Sequence, residues 1–359
     1  MYHDIRPGKT WYDTDGKRIQ AHGGSIIVAD GIYYWYGENK EGVTGYATGE
    51  RAPVWHHGVS MYSSRDLCNW KNEGIIMRES EDPEDPFYPN NIMDRPHIIY
   101  CEKTGKYQMW SKCTGTDFNA AFFAICESEC VTGPYRYVKK EPCTPYHVGD
   151  FDLVKEDGRA YAIFENPHDK MICATLNDTY DGLTGEMTEH LPRPFPPFTR
   201  EAPAYFRRGE DRFLLTSGTT GYFPNPSEVC RISAFHGAWE DLGDPCIDDT
   251  AENSFCAQFS SVFHHPEIPD LYIALGDRWL TDLSYKMPDI RDAYRLLFDP
   301  SIGKLPEGFR FEDYSDCNTG EADYVWLPIR FREDGTPYIE WVDRWSPEDF
   351  RKTDGETVK

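Results

Sequence analysis

The sequence predicts an all-β fold, a five-bladed β-propeller with four antiparallel strands in each blade. Aromatic residues make up 15% of the 359 residues, a content typical of strands and of surfaces that stack on sugar rings. One unit, an apolar strand followed by a Gly or Asp turn and an aromatic strand, occurs five times at intervals of about 50 residues. Helical periodicity is weak throughout. Together these observations indicate a propeller.

Five predicted hairpins form the first half of each blade. Each joins two runs of β-branched and aromatic residues through turn residues. The hairpins are Ser25–Glu38, His97–Lys112, Phe151–Glu165, Ala202–Gly218 and Gln258–Trp279.

The outer strands follow each hairpin. They are expected within Gly58–Met77, Phe122–Lys140, Lys170–Met187, Glu228–Pro245 and Asp323–Trp345. This places the blades at approximately 20–77, 94–140, 148–190, 200–247 and 255–345, in one catalytic domain comprising residues 1–359. Short helices are expected only at Asp289–Leu297 and Ser346–Lys352.

The composition narrows the possible partners. A net charge of −24 opposes binding to nucleic acids and to anionic membrane surfaces, which require clustered Lys and Arg. No run approaches the ~20 apolar residues of a membrane span, and the N-terminal stretch has no signal-peptide pattern. We therefore expect a cytoplasmic protein that acts on a small neutral ligand. The composition does not predict an oligomeric state.

The cysteines do not suggest disulfides or a metal. Eleven cysteines are scattered, mostly within apolar runs, as expected for reduced buried thiols. Cys126 and Cys130 have no second pair at zinc spacing. The residues therefore predict no metal site and no cofactor.

Ionisable residues recur where the inner strands of a propeller begin. These starts converge on the central channel, although they lie far apart in the sequence. The candidates are His22, Glu38, Asp94, Arg95, Asp150, Asp152, Glu201 and Gln258. Several carboxylates in one apolar-walled funnel raise the pKa of at least one of them. A protonated carboxyl beside an ionised one is what cleavage of a glycosidic bond requires.

Glu201 is the most informative of these residues. It precedes Pro203, whose ring fixes φ near about −65° and disfavours a helical residue before it. We therefore expect Ala202 to be extended and Glu201 to stand at the entrance of a strand.

Several segments together carry a family resemblance. They are Ile19–Lys40, Gly58–Gly74, Asp94–Trp110, Thr132–Tyr135, Asp157–Tyr161, Arg200–Phe206, Leu214–Asn225, Gly276–Trp279 and Tyr324–Ile329. From Trp11 to Trp345 the chain resembles glycoside hydrolase family 43, whose five-bladed propellers cleave glycans containing arabinose, xylose or galactose. Within the family it is most similar to the branch that includes exo-β-1,3-galactanases.

The resemblance implies roles for the catalytic candidates. Glu201 matches the general acid, and Asp150 matches the aspartate that orients this acid and tunes its pKa; Asp152 is the alternative for that second role. Most of the family has a base aspartate where this chain reads His22-Gly23-Gly24. In the galactanase-like branch a glutamine of the fifth blade, here Gln258, is taken to hold the attacking water.

The remaining candidates concern the sugar. By the same resemblance, Glu38 matches a substrate-contacting glutamate and Asp94 stands where the branch usually has Glu. The other predicted substrate-binding residues are His22, Asp152, Tyr222, Asn225, Arg278 and Trp279. For the last four and His22, packing of a loop or strand end is the alternative interpretation.

The expected activity is that of an inverting, exo-acting glycosidase that releases terminal β-linked galactose from oligosaccharides. The alternatives are a β-galactofuranosidase, an α-L-arabinofuranosidase, a β-xylosidase or a non-catalytic glycan-binding propeller. The resemblance also allows a Ca²⁺ ion in the channel. Inversion predicts about 6.5–9.5 Å between the acid, Glu201, and the group that holds the water, Gln258.

Overall fold

Five four-stranded antiparallel sheets form the molecule, which confirms the predicted fold class. The computed structural model describes residues 1–47, 50–115, 121–283, 290–299 and 301–351. Within each sheet, strands adjacent in sequence pair through the hairpins that the turn residues predict. In blade one a two-stranded ribbon, Tyr46–Ala47 (β3) with Glu50–Arg51 (β4), lies between the second and third strands of the sheet.

The strands of each blade run from the channel outwards. Blade one contains His22–Ala29 (β1), Ile32–Glu38 (β2), Val59–Ser64 (β5) and Lys71–Met77 (β6). Blade two contains Ile92–Cys101 (β7), Lys106–Thr114 (β8), Phe122–Ser128 (β9) and Arg136–Glu141 (β10). Blade three contains Phe151–Glu156 (β11), Arg159–Asn166 (β12), Lys170–Leu176 (β13) and Leu183–His190 (β14).

Blades four and five complete the ring. Blade four contains Arg200–Arg208 (β15), Asp211–Gly218 (β16), Ser227–Ile232 (β17) and Trp239–Asp241 (β18). Blade five contains Gln258–His264 (β19), Tyr272–Arg278 (β20), Asp323–Phe331 (β21) and Pro337–Ile339 (β22). The inner strands β1, β7, β11, β15 and β19 each contact the next, and β19 contacts β1. Their starts therefore surround one channel.

Aromatic clusters between neighbouring blades stabilise the ring. Between blades five and one, Trp35 packs edge-to-face on Trp326 with ring centroids 4.6 Å apart, and Trp11 covers both. The N-terminal segment is held there by backbone hydrogen bonds between Ile5 and Trp345. Buried aromatic pairs of this kind add about 0.5–1.5 kcal/mol each beyond the area that they bury.

Four inner strands have a register shift near their channel end; the shift in β19 lies between Phe259 and Ser261, and the other three are bulges of one form. The register shifts between His22 and Ser25, between Asp94 and His97, and between Glu201 and Ala204. In each bulge the second residue has a positive φ: 63° at Gly23, 53° at Arg95 and 48° at Ala202. The prediction that Ala202 is extended was therefore wrong. A bulge re-aims the side chains around it.

A long insertion separates β20 from β21 in blade five. It contains the helix Ile290–Phe298 (α1) and short 3-10 turns at Phe311–Asp313 and Thr319–Glu321. The predicted helix at Asp289–Leu297 corresponds to α1, although Asp289 lies outside the described residues. At Ser346–Lys352 the structure has only a 3-10 turn, Pro347–Phe350, and Lys352 is likewise outside the described part.

Two further features concern the chain as a whole. In the described ranges, no helix is long and apolar enough to cross a membrane. All eleven cysteines are free thiols, and most of them are buried in the sheets.

Candidate active site

A cavity of about 430 Å³ lies at the starts of the inner strands. This volume falls within the range of pockets that bind small ligands. Its polar lining consists of Glu38, Asp94, Arg95, Lys112, Asp150, Glu201, Gln258 and Glu312. Its aromatic lining consists of Tyr46, Trp55, Tyr222, Phe223, Trp279, Tyr294 and Phe311. Charged groups and flat apolar rings therefore face the same space.

Gln258 holds Glu201 directly. Its amide nitrogen donates to Glu201 Oε1 at 2.8 Å and to Ser217 Oγ at 2.9 Å. Its amide oxygen accepts from the Arg95 guanidinium and from Trp279 Nε1, the latter at 3.0 Å. These partners fix which end of the amide faces Glu201, because donors surround the oxygen and acceptors surround the nitrogen.

This contact corrects one prediction. Gln258, as the predicted holder of the attacking water, was expected about 6.5–9.5 Å from Glu201. The two side chains are instead hydrogen-bonded, so the predicted separation was wrong. Gln258 orients the carboxyl that was predicted to be the acid.

A network of ion pairs extends from Gln258 across the cavity. Arg95 Nη2 lies 2.8 Å from Asp150 Oδ2. Lys112 Nζ lies 3.3 Å from Asp150 Oδ1 and 3.0 Å from Asp94 Oδ2. Trp55 Nε1 also donates to Asp94 Oδ1 at 2.7 Å. Each of these two aspartates therefore has cationic partners, as a buried charge requires.

The environment separates the pKa values of these carboxyls. Burial raises the pKa of Glu201 well above its ordinary range, and the charges of Asp150 and Glu165 raise it further. Burial also opposes ionisation of Asp150, but Arg95 and Lys112 outweigh it and lower the pKa of Asp150 to about 2. A protonated and an ionised carboxyl therefore share the cavity, which is the pairing used in acid-catalysed cleavage of glycosides.

The pKa of Asp94 is also lowered. Burial alone would raise it, but the ammonium groups of Lys112 and Lys40 outweigh that effect. Asp94 and Glu201 occupy the same bulge position on β7 and β15, with the inner strand of blade three between them. They therefore approach the cavity from different sides.

Glu38 fills the space beside the two glycines that stand in place of the family's base aspartate. A Cβ added to Gly23 would lie 2.6 Å from Glu38 Oε1, and one added to Gly24 would lie 2.0 Å from the Tyr36 carbonyl oxygen. Neither position therefore has room for a side chain. Burial raises the pKa of Glu38 to about 7, although Lys40 opposes this shift with its Nζ 2.8 Å from Glu38 Oε2.

Aromatic side chains form one wall of the cavity. The Tyr222 ring lies 5.5 Å from Trp279, 6.2 Å from Trp55 and 6.1 Å from Tyr46. The predicted pocket residues Tyr222 and Trp279 thus both line the cavity. Such faces suit the apolar C–H face of a sugar ring.

Four predicted substrate-binding residues are absent from the cavity lining. His22 is fully buried, with Nδ1 2.9 Å from Asp277 Oδ1 and Nε2 3.1 Å from Gln20 Oε1. Asn225 clamps its own loop, donating to the Gly218 carbonyl oxygen at 2.8 Å and to Thr220 Oγ1 at 2.7 Å.

Arg278 and Asp152 also have structural partners. Arg278 donates to the carbonyl oxygens of Phe255 and Gly8 at 2.9 and 3.4 Å. Asp152 Oδ2 accepts from the backbone N–H of Tyr205 in the next blade at 2.8 Å. These contacts join loops and blades. Like His22 and Asn225, the two residues therefore have structural partners and lie outside the cavity lining.

Several lining residues were not predicted as part of the site. Lys112 lies directly opposite Asp94 in the β7–β8 pairing, a position that it reaches only because of the bulge at Arg95. Trp55 belongs to a loop of blade one, and Tyr294, Phe311 and Glu312 come from the blade-five insertion. Nothing in a strand repeat points to these loop residues.

The channel residues do not fit the Ca²⁺ ion that the resemblance allows. Within the described ranges, no group of three or more His, Cys, Asp or Glu side chains is arranged to hold a metal ion. The cavity carboxylates bind Lys40, Arg95 and Lys112 instead. We therefore derive no chemical step through a metal.

Comparison with known proteins identifies relatives of this site. The profile described as glycosyl hydrolases family 43 matches residues 19–261. A solved β-1,3-galactosidase of this family has a TM-score of 0.78 and 29% identity, and the match covers 97% of this chain. This chain spans only 64% of that protein's length. No curated protein matches the sequence.

Two further structures are similar over almost the whole chain. A second β-1,3-galactosidase of the family, solved with galactodeoxynojirimycin, has a TM-score of 0.76 and 27% identity, covering 95% of this chain and 100% of its own. An exo-β-1,3-galactanase from Phanerochaete chrysosporium, solved with galactose, has a TM-score of 0.75 and 23% identity, covering 96% and 68%. At that identity the likeness shows the fold alone.

Proposed function

The chain belongs to family 43 of the glycosyl hydrolases. We propose that it is a glycosidase, an inverting, exo-acting enzyme that releases terminal β-linked galactose from oligosaccharides. The observation that carries this proposal is the geometry at Glu201. Its carboxyl has a raised pKa, is oriented by Gln258 and shares its cavity with ionised carboxylates.

In this proposal Glu201 is the general acid. Gln258 donates to Glu201 Oε1, so the proton of the neutral carboxyl resides on Oε2 and is free to move to the glycosidic oxygen. Asp150 acts through its charge, because an ionised neighbour disfavours ionisation of Glu201. Glu201 thus stays protonated until the glycosidic bond breaks.

Asp94 is the proposed general base. It is ionised, it lines the cavity, and it approaches from a different side than Glu201. A water between Asp94 and C1 of the sugar gives up a proton to Asp94 as it attacks, while the leaving oxygen takes the proton of Glu201. The sugar is released with inverted configuration. Glu38, which is more deeply buried, is proposed to contact the sugar.

Two observations support a terminal galactose. Tyr294, Phe311 and Glu312 of the blade-five insertion line one side of the cavity, and its volume of about 430 Å³ suits the end of a sugar chain. Two solved relatives above 25% identity are β-1,3-galactosidases by name. Terminal β-1,3-linked galactose is therefore the substrate that we propose.

The test is hydrolysis of β-1,3-galactobiose, with the first anomer of galactose identified by NMR. We expect α-galactose from the wild-type protein. Glu201→Gln and Asp94→Asn should each lower kcat by about 10²–10⁴-fold, the usual contribution of a general acid or base. Glu81→Gln, the same acid-to-amide change at an exposed loop residue outside the cavity, is the control.

Four outcomes would contradict the proposal. Release of β-galactose would exclude inversion. Full activity of Asp94→Asn would exclude it as the base. Turnover only of nitrophenyl β-galactofuranoside, α-L-arabinofuranoside or β-xyloside would replace galactose with one of those sugars, and binding without turnover of any glycoside would remove the enzymatic function altogether.

A further inference from the structure

Helix α1 of the blade-five insertion reaches across the cavity towards blades three and four. At its C-terminal end, Phe298 packs edge-to-face on His168 of the β12–β13 turn, with ring centroids 5.0 Å apart. One turn earlier, the Arg295 guanidinium lies 5.7 Å from the ring of Phe198, in the loop that leads into β15. The helix is therefore fixed on the side of the cavity from which Glu201 projects.

Tyr294 is the residue of α1 that enters the cavity lining. Its ring packs at 5.2 Å against Phe311 of the same insertion. Its hydroxyl lies beside Gly221, where an added Cβ would be only 3.0 Å away. This hydroxyl forms no hydrogen bond with any residue in the described part of the chain. The phenol is thus held by its ring while its polar end is free.

The Tyr294 hydroxyl also lies within electrostatic reach of Glu201. Burial raises the pKa of Tyr294, and the Glu201 carboxylate raises it further. Gly221 follows β16, the strand that pairs with the β15 strand carrying Glu201. Tyr294, Gly221 and Glu201 therefore occupy one side of the cavity, while Glu38 and Asp94 come from blades one and two.

This arrangement has a consequence for the substrate. An acid catalyst must lie beside the glycosidic oxygen, which belongs to the leaving group, and the general base must lie on the opposite face of the sugar. Side chains on the same side of the cavity as Glu201, such as Tyr294, therefore contact the leaving group. The half-buried Tyr294 phenol can therefore form one hydrogen bond to a hydroxyl of the leaving sugar.

Resting on the proposed function, we propose that Tyr294 is a specificity-determining residue that binds the leaving galactosyl unit next to the scissile bond. Helix α1 then forms the leaving-group subsite, and its ligand is the penultimate sugar of a β-linked galacto-oligosaccharide. A substrate without a sugar on that side does not use the Tyr294 hydroxyl.

The test compares β-1,3-galactobiose with β-galactosyl fluoride, whose leaving group is a single atom. Tyr294→Phe keeps the ring and removes only the hydroxyl. We expect the ratio of kcat/KM for galactobiose to kcat/KM for the fluoride to fall by about twofold to tenfold, the effect of one lost hydrogen bond. Tyr314→Phe makes the same change in the same insertion, outside the cavity lining, and should leave the ratio unchanged.

The outcomes separate this inference from the proposed function. If the wild-type protein hydrolyses neither substrate, the proposed function fails and the subsite with it. If it hydrolyses both and Tyr294→Phe leaves the ratio unchanged, the subsite alone is wrong. An equal loss of kcat/KM on both substrates would indicate that the Tyr294 hydroxyl acts on the released galactose or on Glu201. This result would also overturn the assignment.

Discussion

Among single residues, Gln258 shows how a neutral amide serves a site crowded with charge. Its nitrogen faces Glu201 and its oxygen faces the Arg95 guanidinium. A carboxylate at this position would place a second negative charge within hydrogen-bonding distance of the acid. An amide satisfies both neighbours without adding charge, because it has a donor at one end and an acceptor at the other.

The roles of Asp150 and Asp152 can be separated by a pH profile. Asp150 lines the cavity and raises the pKa of Glu201, whereas Asp152 binds the Tyr205 N–H between blades. Asp150→Asn removes the charge that disfavours ionisation of Glu201, so Glu201 should lose its proton at lower pH. We expect the alkaline limb of kcat/KM against pH to move to lower pH by about one unit or more, since neighbouring charges shift a pKa by 1–3 units.

Asp152→Asn is the matched variant for this profile. The amide oxygen still accepts from Tyr205, and the side chain is outside the cavity lining. The alkaline limb should therefore stay where it is in the wild-type protein. A limb that moves in Asp152→Asn and not in Asp150→Asn would assign the tuning of the acid to Asp152.

Among the structural elements, the bulged starts of β1, β7 and β15 determine which side chains reach the cavity. They also explain why Lys112 could not be read from the sequence. In β7–β8 the pair His97–Trp110, continued without a bulge, would put Cys113 opposite Asp94. The bulge at Arg95 brings Lys112 there instead. The one extra residue of the bulge, which the sequence did not predict, thus places the Lys112 ammonium rather than the Cys113 thiol opposite Asp94.

Strand β1 provides a test of this close packing. An added Cβ at Gly24 would overlap the backbone of β2, at 2.0 Å from the Tyr36 carbonyl oxygen. At Gly31, with a φ of 70°, nothing lies within 4 Å of an added Cβ. Gly31→Ala should therefore lower stability by about 1–2 kcal/mol, the cost of a left-handed backbone alone.

Gly24→Ala should lower the thermal midpoint clearly more than Gly31→Ala, although the φ of Gly24 is not positive. The physical reason is that two backbones, rather than a flexible side chain, must separate. Thermal unfolding followed by circular dichroism measures both variants. Equal thermal midpoints of the two variants would show that β1 and β2 can move apart without loss of stability, which would contradict the close packing at Gly24.

For the whole molecule, the repeat in the sequence was sufficient to predict the propeller. Alternating strands and turn residues are local features, and all five predicted hairpins are present. The same repeat brought Glu38, Asp94, Asp150, Glu201 and Gln258 into one cavity. It could not show that Gln258 binds Glu201, since that distance depends on the angle between blades. Nor could it place Tyr294, which reaches the cavity through an insertion outside the repeat.

The buried carboxyls of the ring make stability depend on pH in an unusual direction. Burial raises the pKa of Asp152, Glu38 and Glu165 to about 7 each. At these three groups the folded protein binds more protons than the unfolded chain between about pH 4 and pH 7, so their contribution to stability falls as pH rises through this range, by up to ~1.4 kcal/mol for each unit of pKa shift. Asp94 and Asp150, whose pKa values are lowered, contribute the opposite dependence only below their ordinary pKa.

Buried histidines oppose this dependence below about pH 6.5, because burial lowers the pKa of His56 and His97 to about 3 and that of His190 to about 4. We therefore expect the thermal midpoint to be highest near about pH 6.5 and to fall towards pH 8. The net charge of −24 acts in the same direction through self-repulsion, but about 0.5 M salt screens exposed charges far more than buried ones. In that salt, Asp152→Asn should reduce the slope, because the asparagine keeps the hydrogen bond to Tyr205 and does not titrate. Asp82→Asn, at an exposed turn, should keep the wild-type slope. An unchanged slope in Asp152→Asn would show that this carboxyl ionises as freely in the folded protein as in the unfolded chain.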